Sequence, residues 1–241
     1  MKTIVSIVSH RHQPDLLEGG LLAGMRGLDV VVRENFPDSP SLIARPVRLL
    51  RNKEICGFGA NHNKNFEAVG LDDDDWFVIC NPDILSEAEQ ITDLVTRADV
   101  DGERMAAPFL WNSKTNSFDH NVRPFPTVLS QILSYLGYGH HCRYTQETVD
   151  DLKYPDWASG AFIAIKAGLY RELGGFDENF FMYMEDVDFC ARGKRAGARV
   201  RFYSDIRMVH NAARANRKFF SRSFFQHVRS IAYYYRKASL S

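Results

Sequence analysis

Three short runs constrain this chain most: TIVSIVS at residues 3–9, LDVVVR at 28–33 and WFVIC at 76–80. Each is β-branched or apolar and gives way to polar or turn residues, the pattern of a buried strand. Residues 47–52 fit a further short strand. Residues 15–25 and 61–69 fit helices, and so do 86–98, where Ser86 and Glu89 form a capping-box pattern. Strands alternating with helices over residues 1–98 predict a doubly wound, mostly parallel α/β sheet with helices on both faces. Ligands of such sheets bind beyond the carboxyl ends of the strands. Ser9, Glu34-Asn35, Asn52 and Asn81-Pro82-Asp83 occupy those ends.

The second half is less regular. Residues 105–111, 159–166 and 199–203 read as strands, and 167–173 as a short helix that Gly174-Gly175 ends. Residues 185–196 read as a helix with Gly197 past its end. Residues 111–157 have weak periodicity. A length of 241 residues suits one domain of two packed halves, 1–98 and 99–213, with 214–241 as a helical extension. Lys plus Arg and Asp plus Glu both number 30, so net charge names no polyanionic partner. The four cysteines are widely spaced with no CxxC pair, which argues against a disulfide framework or structural zinc. They suit a reduced, cytoplasmic setting. No run has the length and apolarity of a membrane span.

Three groups of residues carry chemistry. Glu185, Asp186 and Asp188 crowd the start of one helix. Capping the helix dipole accounts for one acid, and crowding can tune another toward a general base. Asp83 ends a hydrophobic strand, where a carboxylate can hold a divalent metal that bridges a diphosphate; the Asn81-Pro82 pair also suits a plain turn. The loop GFGANHNKN at 57–65 permits close backbone approach at Gly57, and Asn63 can face a base or ribose. It lacks the third glycine of a dinucleotide fingerprint. His210 follows the last strand and gains interest as a metal ligand if Asp83 is near it. The acids at 72–75 read as a solvated turn.

Taken in order, these motifs resemble family 2 glycosyltransferases of the GT-A fold, nearest the bacterial rhamnosyltransferase-like enzymes of O-antigen and cell-wall polysaccharide assembly. The resemblance rests on Glu34-Asn35, on Asn52 before GFGANHN, and on NPD ending at Asp83. It continues through Trp157 with SGA, the run GGFDENFFMYMEDVD at 174–188, and His210. It implies an inverting transfer in which Asp186, supported by Glu185, is the general base. Ser9, Glu34, Asn52, Gly57, Asn63, Asn81 and Arg217 would bind the nucleotide sugar. Asp83 and His210 would hold Mg²⁺ or Mn²⁺, and Trp157 and Asp177 would lie on the acceptor side. The first half would then bind nucleotide and the second acceptor. The implied donor is a dTDP- or UDP-sugar, with L-rhamnose a candidate, and the acceptor is a saccharide or a polyprenyl-linked saccharide. Three positions depart from the pattern: Glu34 stands where Asp is usual, NPD replaces DxD, and Asn65 stands where Gly is common.

Residues 214–237 carry seven Lys or Arg and no acid, interleaved with aromatics. Such a helix can pack on the core, pair with a second copy, or lie on the inner face of the cytoplasmic membrane. Nothing else in the chain supports nucleic-acid binding. Two other classes compete with the transferase. A sugar-phosphate nucleotidyltransferase would need a Gly-rich basic loop near the first strand, which His10-Arg11-His12 echoes faintly. A non-catalytic nucleotide-sugar-binding or scaffolding protein would have no need to keep Asp83, Glu185, Asp186 and His210 together.

Overall fold

Strands β1 (Thr3–Ser9), β2 (Asp29–Glu34), β3 (Val47–Arg51) and β4 (Trp76–Cys80) pair in parallel, in the order β3-β2-β1-β4. The computed structural model describes residues 1–11, 20–37, 47–135, 138, 143–211 and 222–238. The sheet continues through strands β5 (Ile84–Leu85), β6 (Met105–Asn112), β10 (Phe162–Lys166) and β11 (Val200–His210), in the order β4-β10-β6-β11-β5. Strand β7 (Ser117–Phe118) borders β6, while β8 (Val122–Arg123) and β9 (Trp157–Ala158) form a separate ribbon. Strand β10 runs against both neighbours, and β5 runs against β11. The remaining main strands share one direction, as the alternation predicts.

Helices α1 (Leu21–Gly24), α2 (Phe58–Ala68), α3 (Ala88–Val100), α6 (Ala167–Glu172) and α7 (Glu185–Arg195) cover the two faces. The period-two alternation of β4 explains why both faces need cover. Phe77 and Ile79 join Leu169, Tyr170 and Phe189 on one side, and Trp76, Val78 and Cys80 join Ile91, Leu94 and Val95 on the other. All five β4 residues are buried. The other helices are α4 (Val128–Tyr135), α5 (Gln146–Val149), whose Val149 joins the core, and α8 (Arg222–Ala238).

Several local expectations shift. Helix α2 starts inside the GFG loop, with Gly57 as its N-cap, because a Cβ at Gly57 would sit 2.6 Å from the Phe181 carbonyl oxygen. Helix α3 is capped one residue later than expected, by Glu87 with Gln90 as its reciprocal partner. Strand β11 continues past a bulge to His210. Asp75 is not solvated: its carboxylate accepts the Asp72 and Lys2 amides at 2.9 and 2.6 Å and staples the turn. Of residues 15–25, only 20–25 are described, and α1 lies there; His12 and Cys142 lie outside the described residues. Cys56, Cys80 and Cys190 are free thiols. Among the described residues no helix is long and apolar enough to cross a membrane.

A buried polar network fixes α2 to the strand ends. Arg33 donates to Asn65 at 2.9 Å, to Asn52 at 3.0 Å and to the Lys64 carbonyl at 2.9 Å. Asn65 donates to Ser6 Oγ at 2.9 Å, and Ser6 Oγ lies 2.7 Å from His62 Nδ1. This explains Asn65 where glycine is common, since its amide spans two strands. Among the described residues His62 Nε2 is buried without a partner. Burial first, and the Arg33 charge second, lower the imidazole pKa to about 3. The unfolded chain takes up this proton near pH 6.5 and the folded chain refuses it down to about 3. Stability therefore falls as pH drops through that window. In urea titrations between pH 7 and 5, His62→Gln should flatten this loss by up to one proton's worth, about 1.4 kcal/mol per pH unit.

Candidate active site

Parallel strands end, and antiparallel strands begin, at the same sheet edge. Ser9 and Glu34 sit side by side there in register, and Glu34 pairs with Arg51 on β3. Asn35 accepts the Cys56 amide and donates to its carbonyl, both at 2.9 Å, which ties the strand ends to the loop before α2. Glu34 is fully buried, and among the described residues neither of its carboxylate oxygens has a hydrogen-bond partner. A buried carboxylate left open in this way is costly unless a ligand donates to it. Asn81 stands at the β4 end, where its amide donates to the Ala161 carbonyl at 2.8 Å.

The β4–β5 turn and the end of β11 meet at this edge. His210 Nε2 lies 3.2 Å from Asp83 Oδ1, and its Nδ1 lies 2.6 Å from Asp119 Oδ2. Burial opposes a charge on the ring, but the two carboxylates outweigh it and push the pKa up to about 9. Asn112 donates to Asp119 at 2.8 Å and fixes it in turn. No group of three or more His, Cys, Asp or Glu side chains forms a ready metal cage among the described residues. The donor set nevertheless suits a divalent cation. One carboxylate and one imidazole nitrogen converge, and a second carboxylate orients the ring from behind. Asp119 falls in the weakly periodic stretch 111–157, and no sequence signal singled it out.

The second cluster is the start of α7. Tyr183 and Met184 both take left-handed backbone conformations, φ 70° each. Such strain in non-glycine residues collects where a fixed geometry is needed. It delivers Glu185 and Asp186 to the sheet edge. Asp186 Oδ2 accepts the Gly160 amide at 3.0 Å, and Oδ1 accepts its own helix's Val187 amide at 2.8 Å. Glu185 is buried, and among the described residues its Oε2 has no partner. Burial, then the Asp186 charge, push the Glu185 pKa well up. Burial also raises Asp186, while the two amides pull it back. The pair thus divides unequally: both carboxyls are pushed up, Glu185 further, and the Gly160 and Val187 amides favour the charged form of Asp186.

Four expected site residues turn inward. Asn63 is expected at the base, but it donates to Phe176 O and Glu178 and accepts from Tyr170 and the Phe176 amide, each within 2.9 Å. It ties α2 to the GGFDE loop. Asn52 accepts from Arg33 and donates to Asn35 and Asn61, so its amide is spent in the network beneath the edge. Trp157 donates its indole N–H to the Pro124 carbonyl at 2.9 Å. Asp177 is expected on the acceptor side, yet it accepts from Tyr233 at 3.0 Å and Lys237 at 2.7 Å, both on α8. Gly57 is needed for close approach to Phe181, as above. Arg214, Arg217 and Lys218 lie outside the described residues.

Helix α8 packs on this loop. Phe180, Met184 and Val187 form a small core with Ile231, Tyr233 and Tyr234. Ser230 donates to the Met182 carbonyl at 2.9 Å, and the His227 ring lies 4.8 Å from that of Tyr183. Lys237 bridges Asp177 and Asp188, at 2.7 and 2.8 Å. Asp188 also pairs with Arg192, whose guanidinium donates to the Leu173 and Gly175 carbonyls. Both ends of the loop are therefore clamped.

No protein-family model matches the sequence. The chain is 28% identical to rhamnosyltransferase WbbL of Escherichia coli K12, over 98% of this chain and 94% of that protein. It is also 28% identical to the N-acetylglucosaminyl-diphospho-decaprenol L-rhamnosyltransferase of Mycobacterium tuberculosis, over 69% of this chain and 59% of that enzyme. Its fold superposes on the crystal structure of GalNAc-T7 with UDP, GalNAc and Mn²⁺, with TM-score 0.62 and 14% identity, over 87% of this chain and 43% of that one. The fold is thus that of the GT-A glycosyltransferases. Within that class its sequence is similar to the rhamnosyltransferases named above.

Lys237 is the connection most open to test. Lys237→Met would leave Asp177 and Asp188 short of a partner and loosen α8, at a cost of about 2–3 kcal/mol. Urea unfolding should register that loss and hydrogen exchange should localise it to α8, while Lys237→Arg retains most of the stability.

Proposed function

We infer that the protein is a metal-dependent, inverting glycosyltransferase that moves a sugar, with L-rhamnose as the first candidate, from a nucleotide-diphosphate donor to a lipid-linked saccharide. The observation that carries this reading is the convergence at one sheet edge of an open buried carboxylate (Glu34), a carboxylate–imidazole dyad (Asp83 and His210) and a divided acid pair (Glu185 and Asp186). The names of the rhamnosyltransferase relatives support the sugar, and the diphospho-decaprenol relative supports the acceptor.

Each residue's part follows from its surroundings. Glu34, buried and without a partner among the described residues, accepts N–H groups of the donor's base, with Ser9 beside it in register and Asn81 at the same sheet edge. Asp83 and His210 would hold Mg²⁺ or Mn²⁺, with Asp119 fixing the His210 ring. Bound there, the metal neutralises charge that builds on the leaving diphosphate. Asp186 takes the proton of the acceptor hydroxyl as that oxygen attacks the anomeric carbon. The Gly160 and Val187 amides keep Asp186 ionised, while Glu185 keeps its own proton and does not compete as a base. The Arg217 guanidinium is the proposed charge partner of the donor diphosphate.

Two substitutions test separate parts of this scheme. Asp186→Asn should lower turnover at least a thousandfold and leave dTDP-sugar binding unchanged; a variant with near-normal turnover would remove Asp186 from the base role. Asp83→Ala should abolish the gain in nucleotide affinity that Mg²⁺ or Mn²⁺ gives, as read by calorimetry. Equal metal dependence in wild type and variant would refute the metal assignment.

A further inference from the structure

Between α8 and the loop 178–181 lies a groove of about 720 Å³ that none of the roles above uses. Asn179, Phe181, Gln226, Arg229, Tyr233 and Arg236 line it. Arg229 and Arg236 are seven residues apart on α8, so they rise from one face of the helix about 10 Å apart. Both are exposed. Helix α8 contains no Asp or Glu, and no ion pair engages Arg229 among the described residues. The groove does contain one carboxylate, Glu178, but its Oε1 is held by Asn63 at 2.9 Å. Asp177 nearby is matched by Lys237. The charge facing the groove is therefore net positive, and Phe181, 41% exposed, adds an aromatic surface beside it.

The groove is joined to the acid pair. The Phe181 carbonyl accepts the Phe58 amide at 2.9 Å. The Phe58 ring packs so tightly on Gly160 that a Cβ there would lie 2.8 Å away, and Gly160 donates to Asp186. Phe58 thus stands between Phe181, which lines the groove, and the Gly160 amide that holds Asp186. The Lys237 clamp holds α8 in place before anything binds, so the groove is formed in advance.

We propose that this groove binds the diphosphate foot of a glycosyl-diphosphate acceptor, with Arg229 and Arg236 as its phosphate ligands. Guanidinium groups match phosphate oxygens in forked geometry, and an aromatic face beside them suits the adjoining sugar ring. The assignment rests on the glycosyl-transfer reading for the identity of the acceptor, but not for its test.

Binding measured without donor separates the two. The probes are N-acetylglucosaminyl diphosphate on a farnesyl chain and the uncharged octyl N-acetylglucosaminide, titrated by calorimetry into wild type and into Arg229→Gln/Arg236→Gln. The wild type should bind the diphosphate probe at least tenfold more tightly than the uncharged one. The double variant should lose at least tenfold on the diphosphate probe, with unchanged affinity for the uncharged glycoside and for dTDP, and an unchanged melting temperature. Wild-type protein without preference for the diphosphate probe, or a double variant that binds it equally well, would overturn the assignment. Intact diphosphate binding without sugar transfer would instead sink the glycosyl-transfer reading and leave the groove standing.

Discussion

Strand β10 runs against β4 and β6, and the site depends on that reversal. A sheet whose strands all run one way presents only strand ends at its carboxyl edge. A reversed strand presents a beginning there, preceded by whatever loop leads into it. Here that loop contains Gly160, whose amide holds Asp186, and Ala161, whose carbonyl receives the Asn81 amide. The short reversed strand β5 does the same for Asp83, which arrives opposite His210 at the end of β11. Two reversals in an otherwise parallel sheet thus set acid, amide and imidazole groups from distant parts of the sequence along one line.

The acid pair shows how the backbone divides two similar groups. Glu185 and Asp186 are neighbours in sequence and share one burial environment, so both carboxyls would be raised. The difference lies in donors. Two amides point at Asp186, whereas Glu185 Oε2 receives none. Hydrogen bonds to a carboxylate favour its charged form, and burial without them favours the acid. The left-handed conformations at Tyr183 and Met184 are what aim the two side chains differently. Packing of Phe180 and Met184 under α8 keeps that strained turn in place.

The parts that were legible in the sequence are those written in local pattern. Runs such as WFVIC betray buried strands because burial on both faces demands apolar residues throughout. Polar residues after those runs mark the carboxyl edge, and Ser9, Glu34, Asn81, Asp83 and His210 all lie there. Helix starts were less legible. Glu87 rather than Ser86 caps α3, and α2 begins within a loop whose glycines looked like ligand contacts. Gly57 and Gly59 instead make room for Phe181 and Phe176, a demand set by tertiary contact. Asn63 and Asp177 belong to the motif that identifies the fold, yet their polar atoms are consumed in holding it. Asp119 and Lys237 were invisible because their partners lie 91 and 60 residues away in sequence.

The clamp around Asp177 and Asp188 changes what the basic tail means. Its composition alone suited a membrane surface, a second copy of the chain or the core. The described part, α8, divides those roles by face. Tyr233, Tyr234 and Lys237 turn inward and serve the loop that carries the acid pair, whereas Phe225, Val228, Arg229 and Arg236 face outward. A helix whose only task was to cover the core would have no need for outward arginines beside an exposed Phe and Val. A helix whose only task was to bind outside would have no need for a lysine between one buried acid and one half-buried acid. Carrying both sets, α8 ties whatever meets its outer face to the geometry of Asp186 through one rigid element. Contact at the outer face is then mechanically linked to the turn that carries Asp186, across a helix held by Lys237 at its C-terminal end and by Ser230 at its middle.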